Sequence, residues 1–446
     1  MQNATQLQAT VIFCATLLGV PAHAGGFNLD HQNAAALGAA FAGAEATAAD
    51  AGFAAYNPAA IADIKRSEIS VSVTGILPSS NYSNASGTLL GISPVAGAAS
   101  GDDVISNAVV PNLSLAVPLT DRLTVGLVAN ATFGLKTGFD AESVVRYQAR
   151  ASELTVLEVT PMAAFEVTSS LRIGAGLRIQ HLDLALTSVI DAGGIAAASM
   201  VPGFAPGASD LAAAFAASDV RIGYTAGLHA SLTPRFDVGL TYLSKIDHSI
   251  EGDVTFNLAS SVAAQVLNGA IGLFDADRFE TELATPATAA LGVRYQASER
   301  LMLLGSARRM FWSSFDVVQL AFNDGATPPE VLTQNWRDSW LLSVGGEVAA
   351  NADTMIRAGF MYDESPVNGA FASPRIPDND RYWLAVGLTR TVSESASLDL
   401  GLAYAFFSDR RIDIDGAAPE DLFRGALSSD FETQVFAASA RLRLKL

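Results

Sequence analysis

The sequence predicts an all-β protein, a transmembrane antiparallel β-barrel of about fourteen strands. Three observations lead there. Half of the 446 residues are hydrophobic and only 16% are charged, yet after the first twenty-four no uninterrupted apolar helix of membrane length follows. The apolar residues alternate with small or polar ones, the period of a strand with one greasy face. Short turns and long loops take turns along the chain, as in outer-membrane barrels.

Composition excludes some functions. The net charge of −18 argues against nucleic acid, because phosphate binding draws on an excess of Lys and Arg. Mean hydropathy is +0.30, high enough for a large core or a membrane domain.

The chain opens on an export signal. An apolar stretch from Leu7 to Val20 precedes Ala22-His23-Ala24, a small-x-small cleavage site. Residues 1–24 are expected to be removed, leaving Gly25 first in the mature chain. Cys14, the single cysteine, leaves with them, so neither a disulfide nor thiolate chemistry is expected.

The alternation carries the barrel. "EISVSVTGIL" sets Ile69, Val71 and Val73 against Ser70, Ser72 and Thr74. Leu113, Leu115, Val117 and Leu119 form the greasy face of one strand. Leu123, Val125, Leu127, Ala129, Ala131 and Phe133 form that of the next, after the tight turn Thr120-Asp121-Arg122. Five more short connections follow, near 168–170, 233–235, 297–300, 350–353 and 393–396. Long ones are expected near 78–108, 136–150, 187–219, 257–281, 321–337, 363–380 and 409–429. Thirteen connections join fourteen strands, with both ends of residues 67–446 on the short-turn side.

The last strand, "ARLRLKL", sets Leu442, Leu444 and Leu446 against Arg441, Arg443 and Lys445. In hydrocarbon an unpaired strand edge costs several kcal/mol per group. This strand is therefore expected to close on "EISVSVTGIL", leucines toward lipid and basic residues toward the lumen or periplasmic water.

Residues 25–66 precede the first strand. They are Ala- and Gly-rich, low in charge and without a period of two. Too short to fold alone, they are expected to sit in the lumen as a hatch. The alternative is a disordered periplasmic tail.

This segment, "GGFNLDHQNAAALGAAFAGAEATAADAGFAAYNPAAI", resembles the N-terminal hatch of the FadL family of outer-membrane transporters for long-chain fatty acids and other hydrophobic compounds. The similar points are Gly26-Phe27, Leu37-Gly38, Gly43, Asp50-Ala51-Gly52 and Asn57-Pro58-Ala59. "YDESPV" (362–367), "IPDNDRYWLAVGL" (376–388) and, more weakly, "WSSF" (312–315) extend the resemblance along the chain.

The resemblance implies capture of a hydrophobic ligand by outer loops, transfer to a pocket touching the hatch, and lateral release where the third strand is kinked. It implies that Phe27 reaches the pocket. Asn57, Pro58 and Ala59 would shape a hatch turn, with Pro58 suited to the first position of a short helix. A kink is expected between Asn130 and Gly138, where Asn130, Gly134 and Gly138 weaken the strand. Asp378, Asp380 and Arg381 would lock an outer loop, and either Tyr382 or Trp383 would sit in the aromatic girdle.

Family members that carry fatty acids meet the carboxylate with basic residues in the wall. Here no Lys or Arg stands between Arg178 and Arg221. Arg178, Arg308 and Arg309 remain as candidates, and a neutral ligand such as an aromatic hydrocarbon stays open. Neither a cofactor nor a metal is expected. The partners expected are the hydrophobic ligand and outer-membrane lipid, around a monomer. The five histidines lack ligand spacing, and neither a G-x-S-x-G nor a phosphate loop occurs, so catalysis is not expected. A general porin and a structural or adhesive barrel are the competing readings.

Overall fold

The computed structural model describes residues 26–446. The expected export signal and Gly25 lie outside the described residues. Fourteen antiparallel strands form one closed wall. They are β1 (Glu68–Leu89), β2 (Ala108–Pro118), β3 (Leu123–Gly138), β4 (Ala151–Thr168), β5 (Leu171–Asp191) and β6 (Asp210–Thr233). Then come β7 (Phe236–Leu243 and Ile246–Phe256), β8 (Arg278–Thr285 and Thr288–Gln296) and β9 (Leu301–Met310 and Val317–Phe322). The rest are β10 (Ser339–Asn351), β11 (Thr354–Asp363), β12 (Arg381–Ser393), β13 (Ala396–Phe407 and Arg410–Ile414) and β14 (Ala426–Lys445).

The wall closes between β1 and β14, with Ile69 opposite Leu444 and Val71 opposite Leu442. Leu442 is exposed outward, and Arg441 is buried inward. The six tight turns fall where alternation places them. Outward side chains form an apolar band, and Tyr382 packs there against Phe360 and Tyr362 at 6.3 and 5.3 Å. Trp383, on the opposite face, is buried inside. No helix among the described residues is long and apolar enough to cross a membrane.

Two sequence expectations about strands need correction. β1 does not end near Pro78 but runs 22 residues to Leu89. A membrane strand needs about 9–11 residues, so the remainder stands above the bilayer, where both faces are polar and alternation fades. The second concerns Phe133. The register of β3 against β4 slips between Ala131 and Phe133, Ala131 facing Leu157 and Phe133 facing Val156. One extra residue, Thr132, flips every later side chain to the other face. Phe133 is therefore buried, not set toward lipid.

Residues 26–66 fold into short turns of helix, including α1 (Ala34–Leu37) and a 3-10 turn at Pro58–Ile61. Most of this segment is buried against the inward faces of the strands. The wall makes room with glycine. A Cβ on Gly387 of β12 would come within 2.7 Å of the Gly38 backbone, and one on Gly38 within 2.6 Å of Gly387. In the long loops, α2 (Ala192–Ala198) and α3 (Val262–Ile271) pack together through Ala192, Ala196, Ala263 and Leu267.

Candidate functional site

The N-terminal segment meets the wall at three levels. At the short-turn end, Asp50 lies between two arginines of β14, 3.0 Å from Arg441 and 2.8 Å from Arg443. Arg441 also binds Asp399 at 2.7 Å, and Arg443 also lies 3.2 Å from Glu68. Burial alone would raise the Asp50 carboxyl. The two guanidiniums outweigh it and hold the pKa at about 2.

At mid-height, Asn57 caps the turn it precedes, its Oδ1 accepting from the Ala59 amide at 2.9 Å with Pro58 at the first helical position. Its Nδ2 donates to the carbonyls of Glu45 (2.7 Å) and Leu228 of β6 (3.0 Å). His31 is buried between Phe41 and Trp383, ring centroids 5.6 and 5.1 Å away. Burial keeps its imidazole neutral, with the pKa pushed down to about 4.

At the top, Phe27 stands in an aromatic cluster. Its ring centroid lies 4.8 Å from Trp312, 5.4 Å from Phe315, 5.7 Å from Phe133 and 5.7 Å from Trp336. The cluster joins an apolar interior that includes Leu182, Leu184 and Leu186 of β5. Asp378 tethers this end. Its Oδ2 accepts from the Gly26 amide at 3.0 Å and the Ser365 hydroxyl at 2.7 Å, and its Oδ1 lies 3.1 Å from Arg381. Arg381 also pairs with Asp363 at 3.0 Å. Asp380 accepts from the Tyr362 hydroxyl and the Ser365 amide.

The wall is discontinuous beside this cluster. β2 and β3 pair from Pro118↔Thr124 only as far as Asn112↔Asn130. Beyond that point β2 stays with β1 through Ala108, while β3 continues on β4. Pro111 is the next residue of β2, and it has no amide to offer. The free edge of β3 is met from inside. Leu29 N donates to Thr132 O at 2.9 Å, and Gly134 N donates to Phe27 O at 2.8 Å. Gly138 N donates to Val104 O.

A cavity opens at this discontinuity, lined by Asn28, Asn130, Thr132, Phe133, Arg178 and Arg308 among others. Asn130 Oδ1 and Thr132 Oγ1 are buried there without a partner. Both arginines are already matched. Arg178 lies 2.8 Å from Glu158 of β4, and Arg308 engages Asp30 and Glu45. Arg309 lies 3.5 Å from Asp338, its guanidinium over the Trp340 ring. A second cavity lies among the outer loops and is mainly apolar, with Ile190, Ile195, Phe215, Phe256, Phe322 and Phe423 in its lining.

Sequence reasoning missed Trp336, Pro111 and the slip at Thr132. Pro111 inside an otherwise regular strand was the available signal for a wall edge.

The profile of the family described as "Outer membrane protein transport protein (OMPP1/FadL/TodX)" matches residues 15–444. The chain is similar to a putative outer membrane protein of Neisseria meningitidis, 28% identical over 448 residues and covering 96% of each chain. It is also similar to the long-chain fatty acid transport protein of Escherichia coli, 26% identical over 415 residues, 89% of this chain and 90% of that one. Its fold is that of a Pseudomonas aeruginosa FadL homologue, with a TM-score of 0.85 at 24% identity over 95% of this chain and all of the other. The Pseudomonas putida toluene transporter TodX superposes with a TM-score of 0.65 at 18% identity, over 95% and 100% of the chains. The chain belongs to the OMPP1/FadL/TodX family of outer-membrane transport proteins and lies in the outer membrane as a β-barrel.

Proposed function

We propose that the chain is a passive transporter of hydrophobic small molecules, long-chain fatty acids or related hydrocarbons, and not a catalyst. The apolar groove among the outer loops takes the ligand first. The aromatic cluster around Phe27 receives it next, and the discontinuity between β2 and β3 releases it sideways into the bilayer. Residues 25–66 act as the hatch that closes the lumen to water and ions, with 67–446 as the barrel. Asp378, Asp380 and Arg381 hold the outer loop over the hatch tip. Asn57, Pro58 and Ala59 shape the turn that seats it.

The observation that carries this reading is the loss of β2–β3 pairing beyond Asn112↔Asn130 at the level of the Phe27 cluster. An unpaired edge in hydrocarbon is costly, and here the N-terminal residues meet it from within. An apolar ligand gains about 0.8 kcal/mol per CH₂ buried, so a greasy relay with a lateral exit suits it better than a watery pore.

Two measurements together test this. Cells carrying the chain should take up labelled hexadecanoate or toluene faster than cells lacking it. The purified barrel in a planar bilayer should conduct far less than an open barrel of equal strand number. Uptake independent of the chain would overturn the transport reading. Large conductance would favour a general porin.

A further inference from the structure

Six arginines are buried in the described structure: Arg146, Arg178, Arg308, Arg375, Arg381 and Arg441. Five have carboxylate partners. Arg375, in the loop between β11 and β12, has none among the described residues. Its Nη1 donates to Ser152 Oγ (3.1 Å) and the Ala151 carbonyl (3.2 Å), and its Nη2 to Ser188 Oγ (2.9 Å). Both Nη atoms also make long contacts of 3.4 Å to the Thr187 carbonyl. Its Nε is buried with no partner at all. Every acceptor it has is neutral. A buried cation without a counter-charge is among the costliest arrangements a protein keeps. Burial accordingly pushes its pKa down to about 10. Glu330 is the carboxylate whose field reaches it, but Glu330 lies 3.2 Å from Arg424 and touches Arg375 only through Ser188, whose hydroxyl is 3.4 Å away.

Arg375 is held by backbone and hydroxyl groups of three strands, β3, β4 and β5. Thr137 at the end of β3 donates to its carbonyl at 2.9 Å. Ser152 lies at the start of β4 and Ser188 near the end of β5. Ser188 also lines the outer apolar groove, while Ile376, next in the chain, packs in the interior cluster with Leu184 and Leu186. Arg375 thus stands at the seam between groove and interior, one serine behind the groove wall.

We propose that Arg375 receives the carboxylate of an otherwise apolar ligand as it passes from the outer groove to the interior. This rests on the transport reading above and adds the headgroup to it. A guanidinium presents paired N–H groups that match a carboxylate. The incoming group exchanges the long Thr187 contacts for charge-assisted ones and supplies the partner that Nε lacks. Arg178 and Arg308 cannot serve in this way without giving up Glu158, Asp30 or Glu45.

The test uses the purified full chain in a non-ionic detergent at pH 8. Equilibrium binding of labelled hexadecanoate is compared with that of 1-hexadecanol, which shares the tail but has no charge. The wild type should favour the acid by at least about tenfold, which is about 1.4 kcal/mol. Arg375→Gln should remove that preference and leave the alcohol's affinity unchanged, and Arg375→Lys should keep part of it. Equal binding of acid and alcohol by the wild type would overturn the proposal without any variant. So would a tenfold preference that survives in Arg375→Gln. If the wild type bound neither probe, the transport reading would fall and the proposal with it. Alcohol bound without preference for the acid would remove Arg375 alone. Heat-modifiable migration on a gel checks that each variant has formed its barrel, and if Arg375→Gln fails that check the wild-type ratio and Arg375→Lys decide.

Discussion

Phe27 and Phe133 meet edge to face with ring centroids 5.7 Å apart. One belongs to the N-terminal segment and the other to a wall strand. The register slip at Thr132 lets Phe133 face inward although strict alternation along β3 would set it outward. The same slip sits two residues past the last β2–β3 pair, Asn112↔Asn130. Wall discontinuity and aromatic cluster thus adjoin one irregularity of β3.

Deleting Thr132 should restore a continuous register on β3 while leaving Phe133, Leu135 and Thr137 facing inward. The strand can then follow β2 past Asn130. Uptake should fall by at least tenfold with equilibrium binding and barrel assembly near normal. Undiminished uptake would remove the β2–β3 opening as the exit. The paired change Gly134→Val and Gly138→Val tests the same region by stiffening the strand.

Phe27→Ala should weaken binding of a hydrophobic ligand by about tenfold. An aromatic contact contributes ~0.5–1.5 kcal/mol beyond its buried area, and this ring touches four others. Titration of the purified variant with a labelled ligand measures the change. An unaltered affinity would reduce Phe27 to an anchor of the mature N-terminus.

Asp50→Asn should loosen the N-terminal segment. Removing one member of a buried ion pair costs about 3–5 kcal/mol. The lower end is expected, because Arg441 keeps Asp399 and Arg443 keeps Glu68. Bilayer conductance should rise and the segment should become sensitive to protease. Wild-type values for both would mean that Asp50 does not hold the segment.

Acid should act on the same segment through His31. Seated, its pKa is about 4, whereas a solvated histidine titrates near 6.5. The withdrawn state gains its proton first, so seating is strongest above about pH 6.5 and weakens as pH falls toward about 4. Asp30 and Arg381 are the charged groups acting on the ring. Protease access to the segment should increase from pH 7.5 to pH 5 in the wild type and increase less in His31→Leu. Identical slopes would place the titrating group elsewhere.

The strand number and the six tight turns were legible because lipid on one side and packed lumen on the other impose strict alternation. Legibility ended where that contrast ends. Above the membrane β1 reads "SSNYSNASGT", polar on both faces, so its continuation to Leu89 left no periodic trace. The slip at Thr132 was invisible because Ala131 and Phe133 extend the apolar pattern of Leu127 and Ala129 whichever way they point. Arg178 and Arg308 were readable as inward cations, but Glu158, Asp30 and Glu45, which match them, come from other strands or from the N-terminal segment. Arg375 lies in the loop segment "SPRIPDND", whose spacing carries no sign that its guanidinium is buried. Only the fold shows that it is the one buried arginine, among those described, that lacks a carboxylate.

The clamp on Asp50 also imposes an order on biogenesis. Its counter-charges belong to the final strand of the chain, and a buried carboxylate is costly until they arrive. The N-terminal segment is therefore expected to gain its seat only after β14 has docked against β1, so a segment made before every wall strand settles after the last of them. A chain whose Arg441 and Arg443 are both replaced by Gln should close its wall yet leave residues 26–66 open to protease, and full protection in that variant would show that settling does not wait for β14.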